Sequence, residues 1–353
     1  MRKFAVFSGF LGSGKTTAMI ALTSCCNRHH KKAAMISNDL GHGVNLADHR
    51  LAMLHGCNAS EMTEECICYQ NENLADRLNA YYDEGCKLVI SDIPGFGVGA
   101  LEHVYHGLTE KFPGQFDLAP FTVLVEPRTV ELLRTGNGGD MEYLLDTQLI
   151  EADLIVLNKC DLISRDQADA DKTWLKEHYP QAQVIFISAA KGEGLEDLAQ
   201  ILMNQKASLR RPDIGYGGED FLSAMGKLSE YYMQYYAVVC CNTFDGNDYL
   251  MDMAKEIQAQ IQESGWEIPH LKLLAWEPEG DFGKADLLGV DRPIEVSHRF
   301  ANPCTQIAVI LNASAACPPD LLEQLVTGAV QEVSARYQLE LMIYKKECFG
   351  MGG

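Results

Sequence analysis

The stretch of the sequence with the clearest chemical meaning is residues 9–17, GFLGSGKTT, which contains the pattern G-x-x-x-x-G-K-[ST]. An apolar run at residues 3–7 precedes it and a helix-like segment at residues 18–25 follows, the context that this pattern requires. Glycines let the backbone turn so that successive N–H groups and the positive end of the helix converge on an anion. The pattern predicts a nucleoside triphosphate site formed by Gly9, Gly12, Ser13, Gly14, Lys15, Thr16 and Thr17.

Two side chains of this loop have specific predicted roles. Lys15 is expected to hold the β- and γ-phosphates, and the Thr16 hydroxyl is expected to ligate Mg²⁺. The lysine and the loop backbone are expected to neutralise charge on a transferring phosphoryl group, so the predicted reaction is hydrolysis. Its turnover is expected to be slow. The alternative is a glycine-rich turn between a strand and a helix that binds nothing.

A second motif, N-K-C-D at residues 158–161, follows a strand-like apolar run and matches the N-K-x-D pattern of guanine-specific P-loop proteins. The Asp161 carboxylate can accept hydrogen bonds from N1–H and the N2 amine of guanine, whereas adenine would leave it unpaired. The next strand-like run ends in S-A-A-K at residues 188–191, a second base-reading loop. We therefore predict guanine contacts from Asn158, Lys159, Asp161, Ser188, Ala189 and Ala190.

Between these motifs, another apolar run ends in the D-x-x-G sequence that begins at Asp92. Asp92 is expected to hold Mg²⁺, and the Gly95 N–H is expected to sense the γ-phosphate, so that this loop changes when the phosphate leaves. Either Asp39 or Asp92 is expected to orient the attacking water. Since residues 38–47 and 92–98 contain no arginine, a dimer partner or a client is expected to supply the missing positive charge.

These loops need a scaffold that brings strand ends together. Strand-like apolar runs alternate with helix-like segments through the first part of the chain. Near-continuous apolar strands separated by helices predict an α/β P-loop NTPase domain with a mostly parallel sheet, whose nucleotide lies at the carboxyl ends of the strands. Strands are predicted at residues 3–7, 32–37, 87–91, 121–125, 154–157 and 184–187.

A smaller α+β domain is predicted to follow, because the alternation breaks near residues 206–218. We assign residues 1–208 to the P-loop domain, 209–235 to a linker with a connecting helix from about residue 221, and 236–353 to the C-terminal domain. The order β-α-β-β-α-β in that last part predicts a ferredoxin-like layer with helices on one face of an antiparallel sheet. It contains no catalytic motif that we recognise, so a binding or dimerising role is expected.

Composition limits the class of protein. The 353 residues have a formal charge of −20, from 29 basic and 49 acidic side chains, which disfavours binding to nucleic acid or to an anionic membrane. The sequence has no apolar stretch of the roughly 18 residues that cross a bilayer, and it starts directly with a strand, so a cytoplasmic location is expected. The 12 cysteines are then expected to be reduced, with Cys86, Cys240 and Cys241 in a core.

Several segments together resemble the CobW-like family of GTPases, whose relatives include the nickel-maturation GTPases of urease and hydrogenase and the chaperones of cobalamin-dependent mutases. Besides the phosphate loop they are N-D-L-G at residues 38–41, C-I-C at 66–68 before Q-N-E-N-L at 70–74, and T-Q-L-I-E-A-D at 147–153 before N-K-C-D. The resemblance covers roughly the first 205 residues. It implies a GTP-gated metallochaperone or cofactor-insertion factor.

The same resemblance implies a C-x-C-C element that binds Zn²⁺, Co²⁺ or Ni²⁺, but this chain has Tyr69 where the third cysteine would stand. Cys66 and Cys68 remain, and two thiolates are a weak site for a metal that usually takes three or four ligands. A further ligand could come from Cys57, His55 or Glu65. The alternative is that the cargo site has been lost.

Two classes of function remain open. The first is a GTPase metallochaperone that delivers Zn²⁺ or Co²⁺, with GTP controlling metal affinity or dimer geometry. The second is a GTPase chaperone that gates loading or repair of a corrinoid-type cofactor in a client enzyme and carries no metal. A small-molecule kinase is disfavoured, because a kinase needs no guanine reader such as Asn158 and Asp161. GTP and Mg²⁺ as cofactors, a client metallo- or corrinoid enzyme and a nucleotide-dependent homodimer are expected.

Overall fold

The computed structural model describes residues 2–41, 47–136, 141–239, 242–267 and 270–351. The chain forms two compact units, the first comprising Met1–Leu40 and Ala52–Ala224 and the second comprising Gly41–Leu51 and Met225–Gly353. The predicted core residues Cys240 and Cys241 lie outside the described residues, as does part of the 38–47 stretch, whereas Cys86 is buried.

Helices and strands alternate through the first part of the chain. Up to residue 225 the elements are β1 (Lys3–Ser8), α1 (Lys15–Arg28), β2 (Ala33–Asn38), α2 (Ala47–Leu54), β3 (Ala59–Met62), α3 (Asn71–Asp83), β4 (Leu88–Asp92), α4 (Gly107–Lys111), β5 (Asp117–Leu118), β6 (Thr122–Val125), α5 (Pro127–Thr135), α6 (Glu142–Glu151), β7 (Leu154–Leu157), α7 (Arg165–His178), β8 (Gln183–Phe186), α8 (Leu195–Asn204) and α9 (Glu219–Met225). Short helical turns also occur at Ile67–Tyr69, Leu101–His106 and Cys160–Leu162.

A parallel sheet forms the centre of the first unit. Its strand order is β3-β2-β4-β1-β6-β7-β8, and β5 pairs with β1. Every residue of β1, β2, β4, β6 and β7 is buried, which requires cover on both faces of the sheet. Each apolar side chain buried there stabilises the fold by roughly 1.5–3 kcal/mol relative to exposure. The predicted α/β P-loop NTPase fold is confirmed.

The topology gathers the predicted loops at one edge of this sheet. Strands β4, β1, β6, β7 and β8 are neighbours and run parallel, so the loops that follow them lie side by side. The register pairs Phe7 near the end of β1 with Asp92 at the end of β4. The phosphate loop, Asp92, Asn158 and Ser188 all follow or end these strands.

The second unit contains an antiparallel sheet. From residue 229 on, the elements are β9 (Ser229–Val239), α10 (Gly246–Glu263), β10 (His270–Trp276), β11 (Phe282–Leu287), β12 (Glu295–His298), β13 (Gln306–Ala315), α11 (Pro319–Arg336) and β14 (Leu339–Gly350). The strand order is β12-β11-β10-β13-β9-β14. Its portion β10-β13-β9-β14, with α10 and α11, is the predicted ferredoxin-like layer, and the hairpin β11-β12 extends it. No helix in the described part of the chain is long and apolar enough to cross a membrane.

The predicted connecting helix at residues 221–235 is wrong. Helix α9 ends at Met225, and β9 already begins at Ser229. Core side chains of β9 recur at the two-residue period of a strand and are Tyr231, Met233, Tyr235 and Ala237. Since β9 pairs along its length with both β13 and β14, it is an interior strand of the sheet, and tertiary pairing decides its conformation.

The second unit also includes a piece of chain from far upstream, Gly41–Leu51. Within this unit, Asp48 forms an ion pair with Lys272 on β10. The guanidinium group of Arg50 lies over the ring of Trp276, with its carbon 4.6 Å from the ring centre. A charge pair and a cation–π contact therefore fix this upstream segment to the antiparallel sheet.

Candidate functional site

The phosphate loop between β1 and α1 has a backbone that requires glycine at two positions. Gly9 has a φ of +130°, and a Cβ there would lie 2.2 Å from the carbonyl oxygen of Leu124. Gly14 has a φ of +89°, and a Cβ there would lie 2.3 Å from Nδ2 of Asn158. Both the left-handed conformation and the close approach exclude a side chain. The loop is therefore packed tightly against β6 and the N-K-C-D turn.

The ammonium group of Lys15 lies inside this loop. Its Nζ donates to the carbonyl oxygens of Gly9 at 2.5 Å and of Phe10 at 3.4 Å. The Ser13 hydroxyl is buried, and its oxygen has no hydrogen-bond partner among the described residues. A lysine, an unsatisfied hydroxyl and the positive end of α1 in one loop match the donor set that a phosphate group needs.

Asn158 joins the phosphate loop to the second base loop. Its Nδ2 donates to the carbonyl oxygen of Ser13 at 2.9 Å, and its Oδ1 accepts from the Ala189 N–H at 3.0 Å. The side chain is only 2% exposed, so its hydrogen bonds are made to the two loops and not to solvent. It holds the phosphate loop and the loop at residues 188–191 in a fixed relation.

The neighbouring side chains of the N-K-C-D turn are also held in place. Oδ1 of Asp161 accepts from the Ser188 hydroxyl at 2.7 Å. Lys159 has a left-handed backbone, with a φ of +61°, and its Nζ lies 2.9 Å from Oε2 of Glu126. Glu126, which follows β6, was not among the predicted residues, because nothing local in the sequence connects it with Lys159. Ala190 lies in the exposed turn that follows Ala189.

The D-x-x-G loop lies directly against the phosphate loop. A Cβ on Gly95 would be 2.5 Å from the Leu11 side chain and 3.0 Å from the Leu11 backbone nitrogen. Asp92 is buried, and its Oδ1 accepts from the Asn38 N–H at 2.9 Å. Asp39 is half-buried, and its Oδ1 accepts from the N–H of the next residue at 2.8 Å. The structure thus places Asp92, Gly95 and the phosphate loop together.

Helix α6 holds Gly95 of the D-x-x-G loop and the residues that follow it, through two buried side chains three residues apart. Gln148 Nε2 donates to the carbonyl oxygens of Gly95 and Gly97, each at 3.0 Å. The Glu151 carboxylate accepts from the N–H of Gly99 at 2.8 Å and of Leu101 at 3.0 Å. Burial raises the pKa of Glu151 to about 7, and these N–H donors oppose that rise. Sequence reasoning noticed this segment only as part of a family resemblance and assigned it no role.

The cysteine loop, residues 62–70 from the end of β3 to α3, contains a helical turn that Cys66 caps. The Cys66 Sγ accepts from the Cys68 N–H at 3.4 Å, and the two sulfur atoms are 2.7 Å apart. The contact with Cys66, burial and the negative charge of Glu151 raise the pKa of the Cys68 thiol well above its usual value. Cys66 is half-buried and Cys68 is 8% exposed, so Cys66 is the thiol that solvent reaches.

Tyr69, which follows Cys68, belongs to a cluster of aromatic side chains. The Tyr69 hydroxyl lies 2.5 Å from the Tyr216 hydroxyl, and the His103 ring packs against both, with centroids 5.9 and 4.9 Å away. A Cβ on Gly99 would lie 2.9 Å from the Tyr216 ring, which places that tyrosine on the D-x-x-G loop as well. Tyr69 is 59% exposed, so the position of the missing third cysteine faces outward.

The structure does not bring Cys57 to the other two thiols. It is buried, and its Sγ lies 4.0 Å from the carbonyl oxygen of Ile20. Among the described residues, no group of three or more histidine, cysteine, aspartate or glutamate side chains is arranged to hold a metal ion. A ligand set that combines Cys66 and Cys68 with Cys57, His55 or Glu65 is therefore not present in that part of the chain.

Comparison with known families decides the classification. A model described as the CobW/HypB/UreG nucleotide-binding domain matches residues 3–186, just over half of the chain. The chain belongs to the CobW/HypB/UreG family. The matched range begins with the first residue of β1 and ends with the last residue of β8, so it contains every strand of the parallel sheet.

Two curated relatives each match part of the chain. The zinc chaperone YeiR of Escherichia coli (strain K12) is 28% identical over 202 residues, which are 55% of this chain and 57% of YeiR. The GTPase Obg of Ehrlichia ruminantium (strain Gardel) is 26% identical over 151 residues, 41% of this chain and 43% of Obg. The chain thus spans about half the length of the curated relatives it matches.

A solved structure, that of the hydrogenase maturation factor HypB from Archaeoglobus fulgidus, is 23% identical to this chain. The match covers 56% of this chain and 87% of that one, with a TM-score of 0.38. The fold assignment above stands on strand order and register.

The predicted nucleotide residues lie on adjacent loops of the family domain. Gly12 lies within the phosphate loop, and Thr16 and Thr17 lie in the first turn of α1, where Thr16 is half-buried and Thr17 exposed. Their contacts with nucleotide and metal stay predictions. Glu126, Gln148 and Glu151 are additions from the structure, since each acts on a loop that is distant in sequence.

Proposed function

We propose that this protein binds and hydrolyses GTP and uses its nucleotide state to control delivery of Zn²⁺ to a client protein. Membership of the CobW/HypB/UreG family supports the nucleotide part of the proposal. The observation that carries it is the Asn158 side chain, which bonds the phosphate loop at Ser13 and the base loop at Ala189. In this proposal the Asp161 carboxylate accepts hydrogen bonds from N1–H and the N2 amine of guanine.

The phosphate end of the site fits a triphosphate with Mg²⁺. The unsatisfied Ser13 hydroxyl, the Lys15 ammonium and the start of α1 belong to one loop and are the kinds of donor that bind phosphate. Thr16 and Asp92 would hold Mg²⁺, which supplies positive charge to the β- and γ-phosphates when bound. Asp92 or Asp39 orients the attacking water, and Gln148 keeps the D-x-x-G loop against the phosphate loop.

Hydrolysis by the isolated chain is proposed to be slow. Residues 92–98 and 38–47 contain no arginine that could stabilise charge developing on the γ-phosphate. A second copy of this chain, or the client, then supplies that positive charge. Nucleotide-dependent dimerisation would make hydrolysis conditional on assembly.

Zinc is proposed as the cargo because the curated relative YeiR is described as a zinc chaperone and because two adjacent thiols are present. Two thiolates from one chain leave a tetrahedral ion short of ligands. A second copy could contribute its own pair to the same ion, which predicts one Zn²⁺ per two chains. Co²⁺ would occupy the same ligands and serves as a spectroscopic probe.

A second function is favoured by one specific observation. Position 69 holds an exposed tyrosine, and the described residues contain no third metal ligand beside Cys66 and Cys68. Under this alternative the loop contacts a client and gates loading of a corrinoid-type cofactor without carrying metal. Metal content separates the two, because protein purified without an affinity tag should contain zinc only under the first proposal.

Calorimetric titration tests the guanine assignment. Guanine nucleotides should bind at least about tenfold tighter than adenine nucleotides, a difference of roughly 1.4 kcal/mol. Asp161→Asn should weaken GTP binding and strengthen binding of xanthosine triphosphate, because an amide donor then meets a xanthine carbonyl. Asp166→Asn, at an exposed carboxylate at the start of α7, is the matched control and should leave both affinities unchanged. Equal affinities for GTP and ATP would overturn the proposal.

A further inference from the structure

Asn38 is the last residue of β2 and lies between the nucleotide loops and the cysteine loop. It is 4% exposed, and its backbone N–H donates to Oδ1 of Asp92 at 2.9 Å. Asp92 is the carboxylate that we place beside Mg²⁺. A change in the position or charge surroundings of that carboxylate therefore acts directly on the end of β2.

The side chain of Asn38 bonds entirely to the cysteine loop. Its Nδ2 donates to the carbonyl oxygens of Met62 at 3.1 Å and of Glu65 at 3.0 Å. Its Oδ1 accepts from the Ile67 N–H at 3.0 Å. Both N–H groups and the carbonyl oxygen of the side-chain amide are thus hydrogen-bonded to residues 62–67. This side chain therefore fixes the position of the loop relative to β2.

The cysteine loop is braced internally, so that it can follow Asn38 as one body. Gln70 Nε2 donates to the carbonyl oxygens of Thr63 at 3.2 Å and of Glu65 at 2.8 Å. The Tyr69 N–H donates to the Cys66 carbonyl at 2.9 Å within the helical turn. A displacement at Glu65 or Ile67 is therefore passed on to Cys66 and Cys68.

We propose that Asn38 is the positioning residue that couples the nucleotide state to the cysteine loop. The proposal rests on the proposed function in one respect, namely that guanine nucleotide with Mg²⁺ engages Asp92. When Asp92 changes its interactions between the triphosphate and diphosphate states, the hydrogen bond to the Asn38 N–H shifts the end of β2. The side-chain amide carries residues 62–67 with it and changes the exposure and geometry of Cys66.

The reactivity of Cys66 in the full-length protein measures this coupling and needs no bound metal. Alkylation by iodoacetamide is followed by mass spectrometry of the peptide that contains Cys66, with GDP or with a non-hydrolysable GTP analogue. The alkylation rates of the unaltered protein are expected to differ by at least about fivefold between the two nucleotides. Asn38→Asp removes both N–H donors and should bring the two rates to within about twofold of each other.

Asn27→Asp is the matched control at the opposite end of β2. Oδ1 of Asn27 accepts from the Ala33 N–H at 2.9 Å, and an aspartate keeps that acceptor. This variant should retain the full ratio of alkylation rates. The inference is overturned if Asn38→Asp retains the ratio, or if the unaltered protein alkylates Cys66 at one rate in both nucleotides.

Hydrogen exchange gives a second test should Asn38→Asp fail to fold. In the unaltered protein, the Ile67 amide should exchange at rates that differ between GDP and the analogue, because its acceptor is Asn38 Oδ1. Equal exchange of this amide in both states would contradict the coupling. Failure of the proposed function gives a different result, since calorimetry would then detect no guanine nucleotide binding by the unaltered protein.

Discussion

The nucleotide loops and the cysteine loop of this protein differ in how completely one chain builds them. In the nucleotide loops, Asn158, Gln148 and the glycines hold backbone groups of several strands in fixed positions. In the cysteine loop, Cys66 and Cys68 face each other without a third ligand in the described chain. Phosphate recognition needs backbone N–H groups that one motif provides, whereas a metal needs side chains that several segments must contribute. Under the proposed function, one chain therefore provides the whole phosphate-binding loop but only two of the ligands that a zinc ion needs.

The largest effect is expected from Lys15→Ala, which removes the positive charge from the phosphate loop. Hydrolysis of GTP should fall by at least about a hundredfold, because no other cation in the loop replaces the charge on the γ-phosphate. The circular-dichroism spectrum should stay unchanged. Phosphate release at saturating GTP measures the rate of hydrolysis. Lys87→Ala, at an exposed lysine beside β4, is the control. Unchanged hydrolysis would show that the phosphate loop has been misassigned.

The next largest effect concerns the packing of the phosphate loop. Gly14→Ala would place a Cβ 2.3 Å from the Asn158 amide, so it should displace Asn158 and weaken GTP binding by about tenfold to a hundredfold. Gly114→Ala is matched to it, since Gly114 also has a left-handed φ, +74°, but has open space around it. Both variants incur a backbone strain of roughly 1–2 kcal/mol, so the difference in GTP affinity isolates the clash. Equal losses would mean that Asn158 is unimportant.

A smaller effect, a gain in zinc affinity, is expected from Tyr69→Cys, which adds a third thiol beside Cys66 and Cys68. Zinc affinity, measured by competition with a chromophoric chelator, should rise by at least about tenfold. Tyr69→Phe removes the contact with the Tyr216 hydroxyl without adding a ligand, and should leave zinc affinity unchanged. The Cys66→Ser, Cys68→Ser double variant should abolish binding, along with the near-ultraviolet cobalt–thiolate band. If this double variant binds zinc as well as the parent does, the site is elsewhere.

The smallest expected effect is on the pH dependence of stability. It comes from His270 in the second unit, outside both the nucleotide loops and the cysteine loop. Burial and the Lys272 charge lower the pKa of His270 to about 3, while Asp286, Lys284 and Asp48 also lie near it. The unfolded chain binds a proton near pH 6.5 and the folded chain does not, so stability falls as pH drops below 6.5. Between pH 7.5 and 5.5 the parent should lose about 1 kcal/mol more than His270→Gln does. Chemical denaturation at the two pH values measures this, and equal losses would contradict the lowered pKa.

The sequence predicts an element well where the pattern has one interpretation. Strand β7 occurs at the predicted residues 154–157, because a buried parallel strand is an unbroken apolar run. The first part of β9, up to residue 235, was interpreted as the end of a helix, because its conformation is decided by the two strands that flank it. The hairpin β11-β12 contains glycine and charged residues and gave no strand signal.

The same distinction applies to the sites. The sequence could predict Asn158 and Asp161 as guanine contacts because their spacing is local, and those contacts stay predictions. It could not identify Glu126 or Glu151, whose partners Lys159 and Gly99 are distant along the chain. The prediction that Cys57 joins the thiol pair failed for the described residues, because proximity in sequence does not direct a buried side chain.

The upstream segment Gly41–Leu51 has a consequence for how this protein can be divided. The chain enters the second unit at this segment, leaves it, and returns at Met225. One cleavage of the backbone after Ala224 would therefore separate Lys272 and Trp276 from Asp48 and Arg50, which belong to the same unit. Neither unit is a contiguous stretch of sequence, so gene fusion or exchange with a single crossover point cannot transfer either one whole.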